Sequence, residues 1–274
     1  MNEIALTKEK GKSRIGREIN AIITIALRDI TLSVRSPGTI IMSLAMPLVM
    51  MGMLGGSLLQ NMAGGLGFDY SKYMMVGMMV NMLFMVTTTG MVSLVEDRTT
   101  DFTQEMLISP ISRYAIVIGK IFGSSFSAIV SMAGTLIVGI IMGITLSPGQ
   151  LLMILLLSPL MCLSGGALAM IIIGLVKSNK TANIAVMLIT MPQMFLSGAL
   201  IPINNSSGIL YVLSHAMPMT YCLDLVRAVV YAGTAEYGSV VLFNPVVNFI
   251  AIATLTVICL IIGTFLFTRS EKSR

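Results

Sequence analysis

The amino-acid sequence predicts an all-α membrane protein with six transmembrane helices, and two observations lead to this fold class. Charged residues make up 11% of the 274 positions and hydrophobic residues 55%, with a mean hydropathy of +0.91. A soluble domain carries roughly 25% charged residues, whereas lipid solvates the outward faces of a membrane bundle. The apolar residues also cluster in stretches of about 20, the length that crosses a hydrocarbon core of about 30 Å. The predicted spans are 39–59, 73–95, 119–146, 151–176, 181–201 and 246–268.

The segment before the first span predicts an amphipathic helix over residues 14–35. Its apolar residues recur at helical spacing, and its charged residues lie off that stripe. We interpret residues 1–38 as a cytoplasmic N-terminal region whose helix lies in the headgroup layer and ends near Ser36 and Pro37. Packing against a soluble partner is the alternative. The apolar stripe consists of Ile15, Ile19, Ile22, Ile23, Ala26 and Ile30, and the charges off it are Arg14, Glu18 and Arg28.

The third and fourth spans are separated only by the sequence SPGQ at 147–150. Proline and glycine side by side are typical of a turn, so we expect a tight hairpin that turns at Pro148 and Gly149. Lys120 stands at the start of the third span, and we expect its long side chain to reach the cytoplasmic surface.

The distribution of basic residues predicts the orientation. Cytoplasmic segments of membrane proteins carry an excess of Lys and Arg. With the N-terminus inside, all of the 17 Lys and Arg residues except Lys72 and Arg227 fall in cytoplasmic segments. We therefore predict six spans with both termini cytoplasmic, residues 39–268 forming the membrane domain and 269–274 a cytoplasmic tail. The basic segments lack interleaved aromatic residues, so we predict no nucleic-acid binding.

Residues 202–245 follow the fifth span and are too polar and interrupted to cross again. An apolar run within them is broken at Pro218, which predicts two short helices that dip into the outer leaflet without crossing. Asp224 and Arg227 are three residues apart, so they could pair on one face of the second short helix.

A charged segment at 96–113, EDRTTDFTQEMLISPISR, lies between the second and third spans. Asp101 can cap a helix, Phe102 and Met106 would share a face, and Pro110 would end it. A short helix with exposed apolar side chains and carboxylates suits docking into a cleft of a soluble protein. A rigid helix transmits displacement, whereas a flexible loop would absorb it. The alternative is a solvated connector.

The same segment resembles the signature loop of the type-2 ABC exporter permeases, the class that includes daunorubicin-resistance and polysaccharide-export permeases. A second resemblance lies in LSGALIP (196–202) followed by PMTYCLDLVRAVV (218–230). The chain departs from the family pattern at Asp101, where a glycine is usual, and at INNSSG after Pro202. The matching loop residues are Glu96, Arg98, Phe102, Glu105, Met106, Pro110 and Arg113, with Asp101 among them, and the outer residues are Pro202, Pro218, Tyr221, Asp224 and Arg227.

The resemblance implies a permease subunit of an ATP-driven exporter in the cell membrane, with 96–113 as the coupling helix. Two permease chains, identical or paralogous, would associate with two copies of a separate ATP-binding subunit. The sequence has no GxxxxGK[ST] motif, so we predict that ATP and Mg²⁺ bind the partner and that this chain binds no cofactor. We also expect the outward faces of the spans to contact membrane lipid.

Polar residues inside the spans are candidates for a substrate path: Asn81 and Thr88 in the second span, Asn183 and Gln193 in the fifth. Interhelical hydrogen bonding is the alternative role for each. Because no ionisable residue lies near the middle of a span, we expect a small amphipathic or hydrophobic, drug- or antibiotic-like cargo. Export of a polysaccharide or lipid-linked glycan, a peptide or an ion in the same family is the alternative.

Two further function classes have weaker support. A secondary transporter would be expected to show ionisable residues at depth or paired broken helices. An intramembrane enzyme would need converging catalytic groups or metal ligands. The only histidine is His215 and the three cysteines have no CxxC spacing, so we predict neither a catalytic nor a metal site.

Overall fold

The structure, a computed structural model, describes residues 14–55, 67–97, 112–176, 178–204 and 206–272, and every regular element in these ranges is a helix. The second helix continues into a π-helical turn at Met50–Gly55. The helices are α1 Arg14–Val34, α2 Pro37–Val49, α3 Tyr70–Gly90, α4 Ser93–Asp97, α5 Arg113–Ile141, α6 Pro148–Leu175, α7 Asn179–Leu196, α8 Gly208–Ala216, α9 Pro218–Val230, α10 Tyr237–Val240 and α11 Pro245–Lys272.

Four helical segments of the described residues are long and apolar enough to cross a bilayer: Tyr70–Asp97, Arg113–Ile141, Pro148–Leu175 and Tyr237–Arg269. They correspond to the second, third, fourth and sixth predicted spans and confirm a multi-pass helical membrane protein. The first predicted span, 39–59, covers most of α2 and the π-helical turn, and its last residues, 56–59, lie outside the described residues. The fifth corresponds to α7, which is 18 residues long and less apolar than the four. The count of six spans stays a prediction.

Local sequence signals explain where several helices begin. Asp69 caps α3 by accepting hydrogen bonds from the backbone N–H groups of Ser71 and Lys72. Ser147 and Gln150 form a capping box at the start of α6, with Pro148 in its first turn. The expected turn at Pro148 and Gly149 is therefore wrong, because these residues already belong to the helix and the chain reverses over 142–147.

The core lies around α3, whose central residues from Tyr73 to Phe84 are all buried. The helix packs against α5, α6 and α9, and α6 also packs along α11. Glycines bring α6 and α11 together: a Cβ at Gly174 would lie 2.6 Å from Leu266 Cβ, and one at Gly263 would lie 2.6 Å from Met170 Cβ. Small residues at such crossings let helix backbones approach closely in membrane bundles.

The amphipathic helix predicted before the first span is present as α1, and it packs lengthwise on α5. Near the start of α5, Ser112 contacts Glu18, and Gly119 lies against Ile22 and Ile25. Farther along, the hydroxyl groups of Ser127 and Ser33 are hydrogen-bonded at 2.8 Å. These contacts advance together along both helices, so α1 and α5 run side by side in the same direction. The exposed face of α1 is apolar, with Ile15, Ile19, Ile23 and Leu27 outward. Its placement in the headgroup layer stays a prediction.

The outer segment contains the two short helices that the sequence predicts. α8 and α9 meet at Met217 with a bend of 80°. α9 is buried against α3, α6 and α11, whereas the apolar side chains of α8 are largely exposed. Such a bent pair fits either a broken span or a re-entrant segment. The re-entrant interpretation of 202–245 therefore stays a prediction.

Candidate functional site

Four charged side chains form a cluster beside the segment 98–111. We call Arg28, Asp29, Asp97 and Lys120 the ion cluster. The Lys120 Nζ lies 2.6 Å from Asp97 Oδ2 and 3.1 Å from Asp29 Oδ2. Arg28 donates from Nη1 and Nη2 to the two oxygens of Asp97 at 3.3 and 3.1 Å. The cluster joins α1, α4 and α5, three helices that meet where the chain enters and leaves 98–111.

Lys120 is the most deeply buried member of the ion cluster. Its side chain is 2% exposed, against 10% for Asp97 and 13% for Asp29. The expectation that Lys120 extends to the cytoplasmic surface is wrong, because its ammonium group donates to two carboxylates and to the Ser93 hydroxyl inside the protein. Two positive and two negative charges balance, as a buried charge requires a compensating partner.

The pKa of Asp29 depends on its burial and on the neighbouring Lys120. Burial raises the pKa of the Asp29 carboxyl above its usual value, and the Lys120 ammonium and the Arg28 guanidinium act against that rise. Arg28 lies farther from Asp29, at 3.5 Å, and divides its charge between Asp29 and Asp97. Lys120 therefore opposes the rise in the pKa of Asp29 more strongly than Arg28 does.

Two glycines of α5 allow α1 to come close enough for these contacts. A Cβ at Gly119 would lie 3.1 Å from Ile25 Cβ, and one at Gly123 would lie 2.6 Å from Asp29 Cβ. The sequence GKIFG at 119–123 thus forms a groove that seats α1 and places Lys120 beside Asp29.

Most of the predicted coupling residues lie outside the described part of the chain: Arg98, Asp101, Phe102, Glu105, Met106 and Pro110. Two flanking ones are described. Glu96 is exposed on α4, and Arg113 is the first residue of α5 and half-buried. The N–H of Ser112, which caps α5, donates to both carboxylate oxygens of Glu18 at 3.0 and 3.1 Å. The positive end of the α5 dipole also stabilises the negative charge of the Glu18 carboxylate at this helix start.

A cavity of about 820 Å³ lies beside the ion cluster, between α1, α2, α3, α5 and α7. Methionine is the commonest residue of its wall, and the flexible thioether side chain adapts to irregular shapes. Asp29, Ser93 and Ser124 form a polar patch next to the ion cluster. The lining methionines are Met46, Met50, Met78, Met82, Met85, Met191 and Met194.

The four predicted substrate-path residues have different surroundings. Asn81 lies on the cavity wall; its Nδ2 donates to Met219 Sδ at 3.7 Å, and its Oδ1 has no partner among the described residues. Gln193 is buried, and in the sequence it lies between Met191 and Met194, which line the cavity. Neither its Oε1 nor its Nε2 has a hydrogen-bond partner among the described residues. Either amide could satisfy a bound polar group.

Thr88 and Asn183 lie away from the cavity wall. Thr88 donates to the carbonyl oxygens of Phe84 and Gly165 at 2.7 and 3.1 Å, so it joins α3 to α6. Asn183 is exposed and donates to Asn179 on its own helix at 3.0 and 3.2 Å. Thr88 thus makes the interhelical hydrogen bond that was the alternative to a cargo contact, whereas the hydrogen bonds of Asn183 stay within its own helix.

The two outer sequence motifs meet in a buried arrangement, but Asp224 and Arg227 do not pair with each other. Asp224 accepts hydrogen bonds from the N–H groups of Leu242 and Phe243 at 2.7 and 2.8 Å, and from Asn248 Nδ2 at 2.7 Å. The expected pairing of Asp224 with Arg227 is therefore wrong, because the Asp224 carboxylate accepts hydrogen bonds from the residues before α11 and from its first turn instead.

Arg227 points to the turn after α7. Its Nη2 donates to the Gly198 carbonyl at 2.8 Å, and its guanidinium lies 3.6 Å from the centre of the Tyr73 ring. The Tyr73 hydroxyl donates to the same carbonyl at 2.9 Å. Gly198 has φ +86°, a conformation that favours glycine.

The remaining outer residues have structural surroundings as well. Pro218 begins α9, and Pro202 is half-buried in the loop after α7. Tyr221 donates to the His215 carbonyl at 2.8 Å and stacks on Phe243. Among the described residues, no group of three His, Cys, Asp or Glu side chains could hold a metal ion.

The sequence model of the ABC-2 type transporter family matches residues 20–231. The chain belongs to this family. The matched range runs from α1 to the end of α9, so it contains the ion cluster, the cavity lining and both outer motifs. The resemblance read from the loop and the outer motifs is confirmed.

Relatives of this ABC-2 permease have modest identity over most of their length. The ycf38 protein of Cyanophora paradoxa, named as a transport permease, is 26% identical over 247 residues, 87% of this chain and 84% of ycf38. Nodulation protein J of Neorhizobium galegae is 25% identical over 230 residues, 80% of this chain and 86% of that protein. Nodulation protein J of Rhizobium meliloti is 26% identical over 197 residues, covering 70% and 73%.

The ion cluster and the α1 groove of this ABC-2 permease were missed by reasoning from sequence. One signal was available: Gly119 and Gly123 flank a lysine in an apolar helix, and the spacing Gly-x-x-x-Gly marks close helix contact. The partner helix could not be read from that spacing. Asp29 lies in a helix that was expected in the headgroup layer, and its position in the sequence gave no indication of its contact with Lys120.

Proposed function

We propose that this ABC-2 permease is the membrane-spanning subunit of an ATP-driven exporter whose ATPase is a separate chain. The observation that carries the proposal is the attachment of both flanks of 98–111. Asp97 on one side is held by Arg28 and Lys120, and Ser112 on the other by Glu18. A segment that receives a push from a partner needs such fixed ends, because a loose connector would absorb the displacement.

In this mechanism the segment 96–113 is the coupling element, and ATP and Mg²⁺ bind only the partner. Two permease chains, either two copies or two paralogues, associate with two ATP-binding subunits. Closure of the ATPase dimer displaces the coupling elements and shifts the permeases between inward and outward openings. The shift requires that the two openings differ in free energy when nucleotide is bound.

The proposed cargo is a small amphipathic or hydrophobic compound of drug- or antibiotic-like size. The cavity volume of about 820 Å³ is within the roughly 300–1,000 Å³ of small-molecule sites. Its methionine wall suits apolar groups of varied shape, and the unpartnered Asn81 Oδ1 can accept one hydrogen bond from the cargo. A cavity of this size supports a small molecule better than a polysaccharide.

The proposed location is the cell membrane, with both termini in the cytoplasm. This orientation puts the ion cluster and the coupling segment on the cytoplasmic side with most basic residues. It puts the arrangement of Asp224 and Arg227 on the outer side, where it would fix α9 to α7 and α11.

Co-purification tests the partner. The permease is expressed with the ATPase encoded next to it and extracted in detergent. The intact permease should retain the ATPase, and Phe102→Ala with Glu105→Ala should lose it while still inserting. The matched control is Phe265→Ala with Glu236→Ala, an exposed phenylalanine and an acid outside the segment, which should retain it. Equal retention by both double variants would refute docking at 96–113.

Ligand binding tests the cargo. N-Phenyl-1-naphthylamine, an uncharged aromatic probe with one N–H donor, should bind the purified permease with enhanced fluorescence. Asn81→Leu should lower its affinity, because the unpartnered Oδ1 that could accept this N–H is lost from the wall. Asn183→Leu is the control, since Asn183 is exposed away from the cavity. Identical titrations for intact protein and Asn81→Leu would contradict a cargo contact at Asn81.

A further inference from the structure

Methionine supplies most of the large hydrophobic residues that line the cavity beside the ion cluster. Seven of the described lining residues are methionine, and Leu32 and Val86 are the only other large hydrophobic residues among them. The described lining also contains no aromatic residue, although aromatic side chains usually contribute to sites for drug-sized molecules. Elsewhere on the described chain, isoleucine, leucine, valine and phenylalanine make up most of the exposed large hydrophobic residues. Sulfur is therefore concentrated on this wall beyond what an apolar surface requires.

The lining methionines reach the cavity from three helices. Two come from α2 and the turn that continues it, three from α3 and two from α7. Within each helix they are three or four residues apart, as Met46 and Met50 are, and as Met191 and Met194 are. Side chains at this spacing lie on one face of a helix, one turn apart. Three helix faces therefore present thioether sulfur to the same cavity.

The largest share of these thioethers is on α3. Met78 is 0% exposed and Met82 is 5% exposed, and Met85 follows at a half-buried position. Asn81 is on the same wall, three residues after Met78 and four before Met85. Its Oδ1 is buried and has no hydrogen-bond partner among the described residues. The wall formed by α3 thus offers three sulfur ligands and the dipole of one amide oxygen.

The chemistry of these ligands selects the kind of ion. Thioether sulfur is a soft, neutral ligand that favours Cu(I) over harder cations. Mg²⁺ and Ca²⁺ require oxygen ligands, and Zn²⁺ is bound by Cys, His and carboxylate groups. Among the described residues, no group of three His, Cys, Asp or Glu side chains could hold such an ion. A single charge also costs less to bury than a double charge, so the wall suits a soft monovalent cation.

We propose that the cavity is a binding site for a soft monovalent cation, Cu(I) or Ag(I), held by thioether sulfur. Met78, Met82 and Met85 of α3 are the central ligands. Met50 and Met194 complete the site from the neighbouring helices. The inference goes beyond the proposed exporter function, because this binding requires neither the ATPase nor nucleotide.

The experiment follows the methionine methyl groups by NMR. The purified full-length permease, labelled with methyl-¹³C methionine, is titrated with silver nitrate in chloride-free buffer, because Ag(I) is a redox-inert substitute for Cu(I). The three cysteines are replaced by alanine, since thiols compete with thioethers for silver. Silver should shift the methyl signals of the lining methionines and leave those of the exposed Met142, Met153 and Met187, which lie outside the lining, unchanged.

Leucine replacements separate the role of sulfur from that of apolar surface. Met78→Leu with Met82→Leu and Met85→Leu conserves volume and hydrophobic character but removes three sulfur atoms. The affinity of this α3 variant for silver should fall by more than the roughly 10–100-fold that the loss of an outer-shell contact costs. The variant should still bind N-phenyl-1-naphthylamine, because its cavity wall stays apolar.

Two controls test the specificity of the site. Met142→Leu with Met153→Leu and Met187→Leu removes three exposed thioethers outside the lining, and this variant should bind silver like its parent. Mg²⁺ and Zn²⁺, added in place of silver, should shift no methyl signal of a lining methionine.

The outcomes decide the inference separately from the exporter function. It is overturned if silver shifts no lining methyl signal, or if the α3 variant binds silver as tightly as its parent. If the α3 variant does not fold, Met82→Leu alone decides: weaker silver binding supports the site and unchanged binding overturns it. If the cysteine-free chain does not fold, the intact permease is titrated beyond saturation of its thiols and judged by the same criteria. Failure of the ATPase to co-purify would refute the exporter function and leave this site standing.

Discussion

Replacing Lys120 by methionine should destabilise the protein more than any exposed lysine replacement, because Lys120 neutralises two carboxylates from inside. The side chain is 2% exposed and lies 2.6 Å from Asp97 and 3.1 Å from Asp29. Removing one partner of a buried ion pair costs roughly 3–5 kcal/mol, since a charge is left uncompensated. Arg28 still faces both carboxylates, so we expect the lower end, about 3 kcal/mol.

The assay is thermal unfolding in detergent, followed with a thiol-reactive fluorophore that reports exposure of the buried Cys162 and Cys222. At roughly 2–4 °C per kcal/mol for a chain of this size, Lys120→Met should lower the midpoint by about 6–12 °C. The exposed Lys180→Met is the matched control and should stay within about 0.5 kcal/mol of the intact protein.

A second comparison separates charge compensation from packing. Combining Lys120→Met with Arg28→Met, Asp29→Asn and Asp97→Asn removes both signs of charge. Because no uncompensated charge remains, this variant should be more stable than Lys120→Met alone. If Lys120→Met unfolds at the same temperature as Lys180→Met, or if the combined variant is the less stable of the two, the reasoning about the ion cluster is refuted.

Two further stability predictions concern helix contacts. Gly123→Ala should lower stability by about 1–2 kcal/mol, although alanine favours helix, because its Cβ would lie 2.6 Å from Asp29 Cβ. The control is Gly149→Ala, whose Cβ would meet only Ser147 Oγ at 4.0 Å. A Gly123→Ala variant more stable than the intact protein would contradict the close packing of α1 on α5. Arg227→Met should cost about 2–4 kcal/mol through loss of its hydrogen bond to Gly198 and its contact with the Tyr73 ring. Lys72→Met, which loses a 5.0 Å contact with Tyr231 at a partly exposed site, should cost less than about 1 kcal/mol, and equal losses for the two would disprove the outer arrangement.

Sequence patterns predicted the features that depend on neighbouring residues. The amphipathic stripe of α1 and four long apolar spans are confirmed, because helical periodicity and bilayer length are local properties. The order of motifs identified the family, as the match to residues 20–231 confirms. The expected turn at Pro148 was wrong, because proline serves equally well as the first residue of a helix.

The candidate site was predictable only in part. Asn81 was singled out as a polar residue at depth and does lie on the cavity wall. Thr88, selected by the same criterion, joins α3 to α6. Sequence alone could not separate these two, because the roles depend on which helix each residue faces.

The sequence by itself determined that this chain is a helical multi-pass membrane protein, since composition and the length of apolar runs suffice for that. Only the tertiary structure decided what its charged residues do. Lys120 finds Asp29, 91 residues before it in the chain, and Arg227 finds the carbonyl of Gly198 in preference to the nearby Asp224. The physical reason is that a buried charge takes whichever partner helix packing brings within about 3 Å, and packing is set by contacts between helices that are distant in sequence.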